Sequence, residues 1–245
     1  MILKNLTKVY SNGRGVFNVN VNFQGVNIYA VMGHNGSGKT SLFRVICGLL
    51  KPTSGKIIWD DVKTISYIPE RRSLYIGLTV KEHIYLVGRI KKMSEQYLNY
   101  KYKLLMDDFS MWKYENNIIE SLSKGNQQKV QFIIALLTDP DLLILDEPFT
   151  GLDIVNIKNI KQLLTNCSNK GMKIIISSHQ YDEIDDFADH ILLLKEGHTV
   201  LQGNLYEIKN QYSDIYISVS NDRTQKYINH SSVISVETHG HTSRY

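Results

Sequence analysis

The sequence predicts an α/β fold with a parallel sheet and crossover helices. Three observations carry that prediction. Short apolar strands alternate with helices near both ends of the chain. A glycine-rich loop joins an unbroken apolar strand to an apolar-periodic helix. A mostly helical stretch, about residues 71–139, interrupts the alternation and reads as an inserted subdomain. The 245 residues suit one large domain or two small ones. With 42% hydrophobic and 21% charged residues, the chain has enough apolar material to fold.

The elements follow in order. Phe17, Val19, Val21 and Phe23 alternate with Asn18, Asn20 and Asn22, the period of a half-buried strand. Gln24-Gly25 turns the chain, and Val26–Met32 is an apolar run suited to a central strand. Thr40–Leu50 reads as a helix, stopped by Lys51-Pro52-Thr53-Ser54-Gly55. Lys56–Trp59 and Thr64–Ile68 are short strands. Helices are expected at Thr79–Ile90, Ser94–Asp108 and Lys124–Thr138. Alternation then resumes: strand Leu142–Leu145, helix Asp153–Ser168 with Asp153 as N-cap, strand Lys173–Ser177 and a short acidic helix Tyr181–Ala188. Ile191–Leu194 and Thr199–Gln202 form a hairpin around Glu196-Gly197. The chain from Ser213 offers one alternating strand (Ile215, Ile217, Val219) and a polar tail.

Two short segments carry chemistry. Gly33-His34-Asn35-Gly36-Ser37-Gly38-Lys39-Thr40 fits G-x-x-x-x-G-K-[ST], a pattern that a chain of this length meets by chance about one time in a hundred. It sits between strand and helix, as a phosphate loop must. Glycines let backbone N–H groups converge on phosphate oxygens, and the helix N-terminus adds positive charge. Lys39 would neutralise the β- and γ-phosphates, and the Thr40 hydroxyl would meet Mg²⁺. Farther on, the strand Leu142–Leu145 ends in Asp146-Glu147. Asp146 would hold the Mg²⁺ shell, and Glu147 could polarise a water for attack on the γ-phosphate.

Composition excludes other classes. Lys+Arg 28 against Asp+Glu 24 leaves +4, a mild excess without the basic stripe of a nucleic-acid binder. The longest apolar run, Phe132–Leu137, is far below the ~20 residues that span a bilayer. The first residues lack the apolar stretch of a signal peptide. Cys47 and Cys167 make no disulfide framework and read as packing residues. A cytosolic globular protein is expected.

The stretch Leu122-Ser123-Lys124-Gly125-Asn126-Gln127-Gln128-Lys129-Val130 narrows the class. It opens a helix upstream of Asp146, and here the chain resembles the ATP-binding-cassette (ABC) ATPases, whose signature is LSGGQ. Gly151-Leu152-Asp153 resembles the family's D-loop, His179 its switch histidine, and Tyr10 the aromatic residue that stacks on adenine. The resemblance runs from Tyr10 to about Gly203. It implies a P-loop NTPase core with an N-terminal antiparallel β-subdomain and an inserted α-helical subdomain. It also implies a cassette over residues 1–212, followed by the strand and tail of 213–245.

The resemblance assigns roles. Glu147, His179 and Lys39 would be catalytic. Tyr10, the loop residues Gly33, His34, Asn35, Gly36, Ser37, Gly38, Lys39, Thr40 and Ser41, and Ser123, Gly125, Asn126 and Asp153 would contact ATP. Thr40, Asp146 and Glu70 would surround Mg²⁺. Ser123 and Gly125 would grip the γ-phosphate bound to a second ATPase subunit, in a homodimer or heterodimer, and Asp153 would reach across that interface. The other implied partner is an integral membrane permease, with the chain peripheral at the cytoplasmic face and no nucleic acid bound.

Two motifs depart from the pattern. Lys124 stands where glycine is usual, and Asn126 replaces the final Gln. Glu70, ending Ile65-Ser66-Tyr67-Ile68-Pro69-Glu70, replaces the usual Q-loop Gln and cannot donate a hydrogen bond. That segment, with Arg71-Arg72-Ser73-Leu74-Tyr75 after it, resembles the ATPase subunits of ABC-2-type exporters. An ATPase acting on nucleic acid or ribosomes is the alternative, disfavoured by a single cassette and the lack of a heptad run. A P-loop kinase or GTPase would leave the signature, Gly151-Leu152-Asp153 and His179 unexplained.

Overall fold

The computed structural model describes residues 1–60, 62–212 and the short segments 218–220, 237–239 and 242–244. The chain runs β1 (Ile2–Val9), β2 (Gly15–Asn22), β3 (Ile28–Met32), α1 (Lys39–Ile46), β4 (Ser54–Ile58) and β5 (Ile65–Ile68). Helices α2 (Val80–Ile90), α3 (Glu95–Asp108) and α4 (Lys124–Leu136) follow. Then come β6 (Leu142–Leu145), α5 (Ile154–Asn169), β7 (Lys173–Ser178), β8 (His190–Lys195), β9 (His198–Asn204) and α6 (Leu205–Tyr212).

The central sheet has strand order β5-β6-β7-β3-β8-β9. All neighbours are parallel except the β8–β9 hairpin. Strands β3 and β6 are buried at every residue, as unbroken apolar runs covered on both faces require. A separate antiparallel sheet, β2-β1-β4, covers α1, and Leu6, Val16, Val19, Phe43, Ile144 and Leu192 share one core. The fold class is therefore as expected: an α/β core, an N-terminal antiparallel sheet, and helices inserted between β5 and β6. Two caps set the insertion's start. Thr79 and Glu82 form a capping box on α2, and the Ser94 hydroxyl accepts from the Tyr97 N–H on α3.

Met1–Leu205 form one compact unit and Tyr206–Tyr245 another. In the second, β10 (Ser218–Ser220) and β11 (Glu237–His239) both pair with β12 (Thr242–Arg244). The strand expected at Ile215 and Ile217 lies outside the described residues, while Val219 falls in β10.

Four elements differ from expectation. Helix α1 ends at Ile46 rather than Leu50, because Gly48 at φ 72° turns the chain and the Leu49 N–H returns to the Arg44 carbonyl. Residues 181–188 hold only one 3₁₀ turn, Tyr181–Glu183, with no side-chain cap. Its acids serve neighbours instead, Glu183 accepting from Ser178 and Asp186 pairing with Lys161. In β2 the alternation breaks at Asn18, which adopts φ 51°. Val16 therefore takes the core position, and Phe17 stacks on His198 at 4.9 Å. Strand β1 was not singled out, because its polar residues mask its period.

Candidate functional site

The loop after β3 lies at the carboxyl end of the parallel sheet, where open α/β sheets bind ligands. Its path needs glycine at two places. A Cβ on Gly33 would lie 2.3 Å from the Leu194 carbonyl oxygen. Gly38 holds φ 108°, and its Cβ would meet Val16 Cγ1 at 2.5 Å. The β8–β9 turn braces the loop, the Gly197 N–H donating to the Ser37 carbonyl at 3.0 Å. The Ser37 hydroxyl is buried and has no hydrogen-bond partner among the described residues, which fits a loop shaped around an anion.

Lys39 opens α1 and is buried. Its ammonium donates to the Gly33 carbonyl at 2.6 Å and the His34 carbonyl at 3.3 Å, and pairs with Glu147 Oε1 at 3.1 Å. His34 is exposed, its Nδ1 2.8 Å from the Asn35 carbonyl oxygen.

At the end of β6, Asp146 is fully buried. Ser177 Oγ donates to its Oδ1 at 2.8 Å and the Tyr67 hydroxyl to its Oδ2 at 3.1 Å. Ser177 also accepts from the Glu147 N–H at 2.8 Å, so one hydroxyl joins both acids. Glu147 adopts φ 50°, a left-handed conformation that costs a non-glycine residue about 1–3 kcal/mol. The conformation aims its carboxylate at Lys39 on one side and at His179 Nδ1, 2.8 Å away, on the other. Burial, and then the Asp146 charge, holds the Tyr67 phenol well above its ordinary value, so it stays protonated and can donate. The same two causes push the Cys47 thiol up to about 12, and burial raises Cys167. Neither is a thiolate at neutral pH, in keeping with packing roles.

Tyr10, Asn35, Gly36, Ser37, Gly38, Lys39, Thr40, Ser41, Glu70 and Glu147 line one cleft of about 560 Å³. The Tyr10 hydroxyl lies 3.2 Å from Ser41 Oγ, which fixes the ring at one end. Gly33 and His34 enter through the Lys39 contacts, Asp146 through Ser177, and His179 through Glu147. Asp146 has no cationic partner among the described residues, and no group of three or more metal-binding side chains occurs among them. One buried carboxylate beside a phosphate cradle suits Mg²⁺, which takes one or two protein ligands and fills the rest with water and phosphate.

The remaining expected residues form a second cluster. Ser123 caps α4, its Oγ accepting from the Asn126 N–H at 3.3 Å. Asp153 caps α5, accepting from the Asn156 N–H at 2.8 Å and its side-chain amide at 2.7 Å. Those bonds, the backbone one first, hold the Asp153 carboxyl below the usual carboxylate range. Gly125 faces Asn156: a Cβ there would come within 3.1 Å of its Nδ2. Ser123, Lys124 and Asp153 are exposed, and none of this cluster lines the cleft.

Tyr67, Ser177, Arg14 and Asn156 were not singled out in the sequence. Ser177 and Tyr67 carried a signal: both are polar residues near the carboxyl ends of apolar strands beside β6. Asn12, Arg14 and Gly15, which also line the cleft, carried none, since a turn is rich in such residues anyway.

A family model described as "ABC transporter" matches residues 16–150. The chain is 39% identical to an uncharacterized ABC transporter ATP-binding protein of Alkalihalophilus pseudofirmus, over 79% of this chain and 75% of that protein. It is 28% identical to the lipopolysaccharide export system ATP-binding protein of Haemophilus influenzae, over 87% of this chain and 95% of that one. Its structure resembles the dimeric, post-hydrolysis structure of the ATP-binding cassette MJ0796 bound to ADP and Pi, with TM-score 0.74, 26% identity, and coverage of 83% and 98%.

Proposed function

The chain belongs to the ABC transporter ATP-binding family, and on that premise we propose that it drives export of a substrate through a separate membrane permease. It is an ATPase of that family. The observation that carries the site reading is the contact set Lys39–Glu147–His179, three side chains from separate elements held in line at the phosphate loop. Lys39 binds phosphate charge. A γ-phosphate entering the loop competes with Glu147 for Lys39 and leaves that carboxylate to take a proton from water. His179 holds the far oxygen of Glu147 and keeps the carboxylate aimed. Mg²⁺, when bound, would neutralise phosphate charge, with Asp146, Thr40 and Glu70 as its surroundings.

Two copies would complete each site. Ser123, Gly125, Asn126 and Asp153 belong on this reading to the opposite subunit's nucleotide, in keeping with the lining of the chain's own cleft, which includes none of them. The dimeric MJ0796 structure supports that arrangement. Among the described residues no helix is long and apolar enough to cross a membrane, and on this reading a permease partner holds the chain at the cytoplasmic face. Export rests on the Tyr67-Ile68-Pro69-Glu70 segment and on the likeness to the lipopolysaccharide export protein. The cassette boundary at residue 212 and the helical insertion over 71–139 belong to the same proposal. The test is Glu147→Gln with ATP: we expect ATP to be retained and dimer to accumulate on gel filtration. Failure to bind ATP would overturn the site reading.

A further inference from the structure

We infer that Tyr67 is a positioning residue for the Asp146 carboxylate, setting how that group faces a divalent cation. The inference rests on the reading of Asp146 as the metal-facing acid.

The strand register explains why this position and this side chain. Strand β6 lies between β5 and β7, with Ile68 and Ile176 both level with Leu145. Ser177 is one residue beyond Ile176, level with Asp146, so a short side chain suffices to reach it. Tyr67 is level with Ile144, two residues short of Asp146 on the same face. Crossing that diagonal takes a long side chain with a donor at its tip. The Tyr67 phenol meets both needs, and its hydroxyl reaches Oδ2 at 3.1 Å.

Together the two donors take one lone pair on each oxygen and fix the carboxylate from both flanking strands. The other lone pairs stay free for a cation. Donors of this kind around a ligating group are worth about 10–100-fold in metal affinity. Packing alone does not explain the residue. Tyr67 also packs with Cys47 and Leu50 against the core cluster that holds Ile144, and phenylalanine would serve that apolar packing as well. Only the hydroxyl distinguishes the two roles.

The experiment compares wild type, Tyr67→Phe and Asp146→Asn in the full chain. Each is loaded with a non-hydrolysable ATP analogue and titrated with Mn²⁺, followed by electron paramagnetic resonance. Analogue affinity in EDTA and unfolding temperature are measured alongside. Tyr67→Phe should weaken Mn²⁺ binding about tenfold and leave the EDTA affinity unchanged. Unchanged Mn²⁺ binding in Tyr67→Phe with a loss in Asp146→Asn overturns the role of Tyr67. Unchanged binding in both overturns the reading of Asp146 instead. A Tyr67→Phe chain that no longer binds the analogue in EDTA makes Tyr67 a folding residue and overturns the inference as well.

Discussion

The phosphate cleft and the Ser123–Asp153 cluster are built in opposite ways. In the cleft, side chains from α1, the end of β6 and the end of β7 touch one another: Lys39 meets Glu147, and Glu147 meets His179. Lys39 and Glu147 are both less than a tenth exposed. In the second cluster, bonds run inward to cap helices, and the outward face holds exposed Ser123, Lys124 and Asp153. The cleft pairs Lys39 with Glu147 from within the chain. The cluster presents a helix N-terminus with no acid in its first turn. Such an end favours an anion from outside the chain. On the proposed two-subunit reading, the difference teaches that one polypeptide supplies a finished half-site and an unfinished one.

The largest effect should come from breaking the finished half. Lys39→Ala removes the cation facing phosphate and leaves Glu147 buried with His179 alone. We expect turnover to become undetectable and nucleotide affinity to fall at least about 100-fold. Burying the acid without its cation should cost about 3–5 kcal/mol of stability. Thermal unfolding separates the two effects: Lys39→Ala with Glu147→Gln should regain much of the lost stability and none of the binding. Glu147→Gln alone should reduce turnover by about 10²- to 10⁴-fold while nucleotide still binds. Normal turnover in either single variant would end the claim that this half carries the chemistry.

The two halves were also unequally legible. Lys39, Asp146 and Glu147 were evident because short-range patterns fix them: a glycine spacing, an apolar strand and a terminal acid pair. The contacts among them were not, since Ser177 and Tyr67 reach Asp146 across sheet neighbours, and neighbour order is set by crossovers. Asn18 shows the same limit in the fold. Its left-handed backbone shifts the β2 pattern by one residue, and nothing in an alternating run announces a bulge. In the second cluster the Asp153 cap was legible, but its bonds to Asn156 do not free the carboxylate to reach outward in this state.

A middle-sized effect tests the unfinished half. In Gly125→Ala the new methyl would meet Asn156 Nδ2 at 3.1 Å, tight enough to push the Asn156–Asp153 pair. We expect turnover to fall about tenfold, on the scale of misplacing a group near the chemistry. Nucleotide affinity of the single chain should not change. Adding Asn156→Ala should restore part of the turnover by making room. If Gly125→Ala weakens nucleotide binding by an isolated chain, the cluster acts within its own subunit and the contrast collapses.

The smallest effect belongs to Glu70, which borders the finished half without joining its contacts. It lines the cleft and is exposed, and among the described residues no ion pair holds it. A carboxylate there meets Mg²⁺ most easily through water, a role that an amide oxygen can share. Replacing it by Gln also removes a negative charge near bound phosphate. These two changes oppose each other, because weaker attraction for the cation is offset by weaker repulsion of the nucleotide. Glu70→Gln should therefore lower turnover by no more than about twofold, the scale of an exposed substitution. Half-saturating Mg²⁺ should rise slightly in steady-state assays. A hundredfold loss of turnover would place Glu70 inside the line of Lys39, Glu147 and His179, and the cleft would then be finished only with a fourth side chain that the structure leaves at its rim.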